Sequence, residues 1–521
     1  MEIPKRAATI AILAICVAYI LFRFWRLTDS CLWFDEIFSV HAAEHPWGEL
    51  FWFVAQDLIH PPLFYVLLKF WIGIGGDSIF WLRLLPILFS IVALVPFVFL
   101  CRELKLKTSA TLLALTFFAA NGSLIKYAQE VRMYSLLLCL SLFSIWLFAR
   151  FFFRGKNIWI LTVVNILLVY THYFGWFVIC SEITVILILQ RIKIRHVLIM
   201  VGIALVSYTP WIIAILKAAN TGADVKQNID WIAAPNLRSL IDFVFDLIEP
   251  FYFQQSSADV STHIFITLPL LIIIASAKIL YLLNWKNEAE KDRFYMLSIL
   301  SIVPLVLAFV LSWLLPVSIW GSRHLIVVFA PVMIIVTIYI TDFATKSIRY
   351  VFVAAIAVLI GIAFVFQVRT EQPKFIWCSW ESLAHQLILT PHYLAQPKPL
   401  YVFEDLVAYH FWFATRELPN FRVALVGGIE GIPNDPAYFL PRGFDEVERV
   451  DIQAINDPEI WIAFRQPTRE EQPGTFPAKT FEVPISGLGR KGYEVSEVRS
   501  VVIGSQTAYL IKMIKDPRFQ N

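Results

Sequence analysis

Apolar runs long enough to cross a lipid bilayer recur along most of this chain, and they constrain its fold more than any other feature. A helix needs about 20 such residues to cross roughly 30 Å of hydrocarbon. Segments near 7–25, 82–101, 108–125, 133–150, 157–171, 174–190, 197–215, 263–284, 294–314, 324–342 and 350–367 meet or approach that length, the fifth being short. The 521 residues are 58% hydrophobic and only 16% charged, with mean hydropathy +0.68, more apolar than a soluble core of this size requires. Much of that surface is expected to face lipid. Lys5 and Arg6 precede the first run, which ends in Arg23-Phe24-Trp25-Arg26 and not in a small-residue cleavage site. It reads as an uncleaved first span with a cytosolic amino terminus.

Charge tests the topology, because Lys and Arg are retained on the cytosolic side during insertion. Alternate junctions carry Arg102, Lys105 and Lys107; Arg150, Arg154 and Lys156; Arg191, Lys193 and Arg195; Lys286, Lys291 and Arg293; then Lys346 and Arg349. The junctions between them are either very short, as at 171–175, or long and rich in aromatic and acidic residues, as at 26–81 and 216–262. Eleven spans then put the carboxyl terminus outside. After Arg369 prolines and charged clusters replace the apolar runs, as expected of a soluble domain. Leu400 to Phe403, Phe421 to Val426 and Ile460 to Phe464 read as buried strands, with a helix from Asp405 to Thr415. The expected fold is an all-α polytopic membrane protein with about 11 transmembrane helices over 1–368. Interfacial helices occupy its first external loop, 26–81, and a small non-cytosolic α/β domain follows over 369–521.

The net charge of +3, with no Lys/Arg run, argues against nucleic acid as a partner. In the domain after Arg369 no Gly-rich phosphate loop and no metal-ligand spacing is visible, so no chemistry is assigned to it, and no cofactor is expected. Of the six cysteines, Cys16, Cys139 and Cys180 lie in apolar runs, and only Cys31 and Cys378 fall where an oxidising compartment could pair them. Two lone cysteines carry no geometric information, so a bridge between them is not assigned.

The first external loop holds the most specific residues. It reads L-W-F-D-E at 32–36 and H-P-P-L-F-Y at 60–65, with Trp47, Phe51, Trp52 and Phe53 between them, a composition suited to a helix lying in the interface. Pro61 and Pro62 can open a following helix. Asp35 and Glu36 stand where an ionised carboxylate is costly without a partner or a task. Adjacent helical residues diverge by about 100°, so only one can face a given cavity. Such a carboxylate could take a proton from an acceptor hydroxyl, or the pair could simply favour a helix amino terminus.

A second cluster, K-Y-A-Q-E-V-R-M-Y-S at 126–135, joins the third and fourth spans on the same side. Lys126 could snorkel at a span end without any chemistry. Glu130 and Arg132 have no cytosolic retention role there, and the arginine offers a planar fork for phosphate oxygens. Thr171-His172-Tyr173-Phe174 and Trp320-Gly321-Ser322-Arg323-His324 reach the same level. Arg323 runs against the positive-inside bias, which favours an anionic ligand or a carboxylate partner. His172 could equally be a structural histidine, and His60 a helix cap.

Together the acidic pair, H-P-P-L-F-Y, Q-E-V-R-M-Y-S-L-L, T-H-Y-F-G and S-R-H-L followed by Pro331 resemble the GT-C superfamily of polytopic glycosyltransferases. The nearest resemblance is to the branch of protein O-mannosyltransferases and lipid A aminoarabinose transferases, over roughly 1–345. It implies a sugar donor carried on a polyprenyl phosphate, used without a metal, and a lipid, glycan or protein acceptor. It also implies a reaction in a cleft above the membrane. On this resemblance Asp35 is the catalytic base with Glu36 beside it, and Arg132, Arg323, His172 and Lys126 handle the donor phosphate. His60, Glu130, Tyr134, Tyr173 and His324 are expected to line the cleft. No acceptor-binding motif of the family is matched. An oxocarbenium-like transition state needs a carboxylate on one side and fixed cations on the other, and the external loops supply both. One in-line displacement would invert the anomeric carbon. A polytopic lipid or solute transporter is the competing class, expected to show broken helices in two matching halves and ionisable residues near the midplane.

Overall fold

The computed structural model describes residues 4–223, 225–229, 232–251, 263–283, 291–342, 345–371, 374–390, 399–418, 421–427, 440–442, 444–467, 483–504 and 506–519. Lys286 lies outside them. The chain divides into two compact units, Met1–Leu27 with Ala42–Pro373, and Thr28–His41 with Lys374–Asn521. Residues 28–41 of the first loop thus group with the carboxyl-terminal domain, and the boundary falls inside the helix Phe34–Glu44.

All eleven apolar segments of the first unit are helical, and eight are long and apolar enough to cross a membrane. Three others, Thr108–Ala120, Ile158–Thr171 and Gly175–Leu189, have 13, 14 and 15 residues. At 1.5 Å per residue even the longest of these three spans only about 22 Å. Burial separates the roles of the spans. The helical stretch His324–Thr341 is 89% buried and lies at the centre, whereas Lys346–Arg369, 11% buried, lies at the periphery with its apolar side chains exposed. Pro86, Pro96, Pro210 and Pro304 sit inside helices, which a bundle tolerates when neighbours satisfy the freed carbonyls.

The basic junctions meet one another within this unit. Arg154 Nε pairs with Glu103 Oε1 at 2.7 Å, Lys107 Nζ with Asp342 Oδ1 at 2.7 Å, and Lys193 Nζ donates to the Phe151 and Phe152 carbonyls. Arg293 lies 6.0 Å from the Phe153 ring. Four sequence-distant basic loops therefore share one end of the bundle, as the alternation of charge requires.

Two buried polar groups knit the helices elsewhere. Arg23, fully buried, stacks 3.2 Å over the Tyr19 ring, donates to Ser90 Oγ at 2.8 Å and reaches the carbonyls of Tyr19, Phe118 and Ala119. Glu182, Asn165 and Ser144, also fully buried, lie on three different helices and are joined by contacts of 2.6–2.8 Å. The sequence reading placed the ionisable groups at one face and overlooked Glu182, because one acid in an apolar run leaves no periodic signal.

Three helices, Phe34–Glu44, Trp47–Asp57 and Leu63–Gly75, fill the long loop. Pro46 and Pro62 stand just before the last two, where proline loses no hydrogen bond. In Trp47–Asp57, Leu50, Val54 and Ala55 are buried while Trp47, Phe51 and Trp52 stay exposed, an amphipathic division consistent with an interfacial element.

The second unit carries a six-stranded sheet of order β3-β2-β1-β4-β6-β5, made of β1 Pro399–Val402, β2 Arg422–Gly427, β3 Glu448–Asp451, β4 Glu459–Pro467, β5 Tyr493–Ile503 and β6 Gln506–Lys515. The first four strands run parallel, and β6 and β5 add antiparallel at one edge. The helix Asp405–Thr415 makes the β1-to-β2 crossover. Three strands and this helix match the sequence expectation. β3, which is short and mostly exposed, β5, which alternates at an edge, and the buried β6 were not anticipated. Residues 28–41 are fixed to this unit by a disulfide between Cys31 and Cys378, with Cα atoms 5.3 Å apart, and by His41, whose Nδ1 meets Tyr409 Oη at 2.9 Å. The bridge left unassigned from sequence is therefore present; geometry supplies what two isolated cysteines could not.

Cys16, Cys101, Cys139 and Cys180 are reduced. Mass-tagged maleimide applied to the denatured, unreduced protein should modify four thiols, rising to six after reduction. Six without reductant would contradict the bridge.

Candidate active site

The first loop presents His60 through local backbone geometry. The helix Trp47–Asp57 ends in Leu58 at φ 60°, a left-handed conformation that non-glycine residues rarely adopt. The Tyr173 hydroxyl donates to the Leu58 carbonyl at 3.1 Å, and Pro61-Pro62 stiffens the other side. Between these constraints His60 is buried, its Nδ1 3.3 Å from Asp57 Oδ2. One turn into the next helix, fully buried Tyr65 brings its hydroxyl within 3.5 Å of Arg132 Nη1.

Arg132 is only 3% exposed and stands two residues before the helix Tyr134–Arg154, whose amino-terminal dipole adds to its positive potential. Its Nη2 lies 3.4 Å from both ring nitrogens of His60. Equal distances to two nitrogens of one ring put the amine across the imidazole face, a packing contact more than a hydrogen bond.

His172 terminates the helix Ile158–Thr171 in extended conformation, and its Nδ1 accepts the Phe174 N–H at 3.2 Å. Its Nε2 is buried with no hydrogen-bond partner among the described residues. His324 opens the turn His324–Val328 with Nδ1 3.1 Å from the Ile319 carbonyl. The His172 ring lies 5.5 Å from His60 and 5.2 Å from His324, and Tyr134 stands 6.3 Å and 6.2 Å from His172 and His324. The first loop, the Q-E-V-R-M-Y segment, T-H-Y-F and S-R-H thus converge on one buried cluster of the first unit.

Its electrostatics are cationic with neutral imidazoles. Burial first, then the Arg132 charge and neighbouring histidines, hold His60 well below the usual histidine range. Burial, His324, Arg132 and Arg323 do the same to His172. Asp57 by itself would raise His60, but the desolvation and the guanidinium outweigh it, so the neutral ring donates Nδ1–H to that carboxylate.

Of the remaining candidates, Lys126 Nζ is 3.9 Å from Glu130 Oε1, a long, partly exposed pair. Tyr127, its hydroxyl pushed up to about 12 by burial, reaches Ser322 Oγ at 3.5 Å and ties that segment to the turn before His324. Arg323 is partly exposed. Asp57 and Ser322 were not anticipated; Asp57, three residues before His60, carried an i,i+3 signal. Asp35 and Glu36 belong to the second unit, in the first turn of Phe34–Glu44. Glu36 is fully buried and its Oε2 accepts the Trp33 N–H at 3.2 Å, the reach-back of a helix cap. Asp35 is partly exposed, and its carbonyl accepts from Ser39.

No protein-family profile and no curated protein sequence matches the chain. Among solved structures, some share the fold of this chain. In particular, the chain is similar to ArnT from Cupriavidus metallidurans bound to undecaprenyl phosphate, with a TM-score of 0.58 and 10% identity over 96% of this chain and 97% of that one. The apo state of the same protein gives 0.53 and 12% over 97% and 98%. At these identities the likeness concerns the fold.

Because folding lowers the affinity of His60 and His172 for protons, the stability they contribute is complete above about pH 6.5, the unfolded value, and is lost as pH falls below it. Thermal midpoints in detergent should therefore drop between pH 7 and pH 5. The slope should approach about 1.4 kcal/mol per pH unit for each imidazole. A His60→Gln, His172→Gln variant should show a flatter profile, and an unchanged slope would exclude these two as its source.

Proposed function

We propose that this protein is a membrane glycosyltransferase that moves a sugar from a polyprenyl-phosphate donor to an acceptor hydroxyl on the non-cytosolic face. The observation that carries this reading is the buried cluster of Arg132, His60, His172 and His324, assembled from four distant segments, in a fold shared with a protein crystallised with undecaprenyl phosphate. A guanidinium fork and an imidazole N–H suit the oxygens of a phosphate leaving group. Arg323 and Lys126 add positive potential.

Asp35 is assigned as the general base. Supporting this, Glu36 is turned back to cap its own helix, which leaves Asp35 as the partly exposed acid of the pair. With Asp35 acting as a base and not as a nucleophile, one in-line displacement would invert the anomeric carbon. The Cys31–Cys378 bridge supports a non-cytosolic location for both of its ends, since disulfides persist in oxidising compartments. The gathering of basic loops at one end of the bundle supports a cytosolic placement of that end.

The test is release of free lipid phosphate by the purified protein in nanodiscs, offered a panel of polyprenyl-phosphate sugars. Asp35→Asn should lower turnover by about 10²- to 10⁴-fold with donor affinity little changed, as loss of a general base requires. Arg132→Lys should weaken donor binding, because a point charge cannot reproduce the fork. Wild-type rates from the Asn variant would remove Asp35 from its role, and retained product stereochemistry would overturn inversion.

A further inference from the structure

Backbone contacts fix two imidazoles of the cluster in opposite proton patterns. Nδ1 of His172 accepts the Phe174 N–H, so the proton of the neutral ring is on Nε2, which is buried without a partner among the described residues. Nδ1 of His324 faces the Ile319 carbonyl oxygen, which can only accept. That nitrogen must carry the proton, leaving Nε2 as a lone pair. Gly321 permits this pose, since a Cβ there would stand 3.3 Å from His324 Nδ1. With ring centroids 5.2 Å apart, the two histidines offer one N–H donor and one acceptor nitrogen. The charged and titratable groups around them are Arg132 and Tyr134 on one segment, His60 with Asp57 on another, and Arg323 beside His324.

A fully ionised phosphate monoester satisfies only half of that set. Its oxygens accept from His172 and Arg132 but have no hydrogen for His324, and two opposed lone pairs in a desolvated site are repulsive. A monoester keeping one proton matches both histidines.

We propose that the cluster binds a polyprenyl phosphate monoester in its singly protonated form, with P–O–H donating to His324 Nε2 while another oxygen accepts from His172 Nε2–H and the Arg132 guanidinium. This rests on the lipid-phosphate reading of the site and adds the protonation state of the product it holds. The transfer balances accordingly. The bond between the anomeric carbon and the phosphate oxygen breaks, and the bond to the acceptor oxygen forms. The hydroxyl proton ends on the phosphate, with one negative charge on each side of the equation.

The experiment compares undecaprenyl phosphate with its methyl ester, a diester without a titrating proton, for binding to the full-length protein in nanodiscs from pH 6 to 9. A free monoester loses its second proton near pH 6. Its Kd should therefore rise about tenfold per pH unit above that point, while the diester Kd stays level. His324→Asn should flatten the monoester slope, and His172→Gln should weaken both ligands equally at every pH. If the Asn variant does not fold, the wild-type comparison still decides. A monoester Kd as level as that of the diester would overturn the proposal and leave the lipid-phosphate site standing. Failure of both lipids to bind at any pH would remove that site and the proposal with it. Inorganic phosphate is the third probe: no competition at millimolar concentration is expected, and displacement of the lipid there would reassign the cluster to free phosphate.

Discussion

A guanidinium removed from water has to be answered by its surroundings, and in the first unit Arg23 and Arg132 are answered differently. Arg23 is closed off by carbonyl oxygens, a serine hydroxyl and the face of Tyr19, all supplied by neighbouring helices. That environment is saturated and structural. Arg132 is nearly as buried, and its neighbours include the His60 ring and the Tyr65 hydroxyl. Both are strongly desolvated charges, which a protein interior tolerates only where other groups answer them.

The same logic applies to the acids. Glu182 is tied to Asn165 and Ser144 on two other helices by short contacts, which makes it a fastening within the bundle. A transporter would also place an acid inside its helices, but one locked to two partners is poorly suited to exchange ions. Glu36 is likewise occupied locally. Position beside Asp35 in sequence therefore says little about shared function, because one helical step turns the side chain by about 100°.

Much of the architecture could be read from the chain because lipid imposes a one-dimensional rule: apolar length gives spans and basic loops give sides. Three strands and a helix of the second unit were legible because they are buried and periodic. What escaped depends on three-dimensional closure. Exposed β3 and the β5 edge give weak patterns, and the union of residues 28–41 with residues beyond 374 has no local signature. The cluster was half legible. His60, Arg132, His172 and His324 stood out as charges or rings at span ends, but Asp57 and Ser322 take their places only through turns and the left-handed Leu58.

The Cys31–Cys378 bridge joins residues 347 positions apart, the second of them made after the apolar helix Lys346–Arg369. It cannot close until every helix between them has been translated, so oxidation is a late covalent record that the whole bundle has emerged. Once closed, it turns residues 31–378 into a ring. A single protease cut anywhere inside that ring leaves the two fragments attached, and the sheet domain is not shed by it.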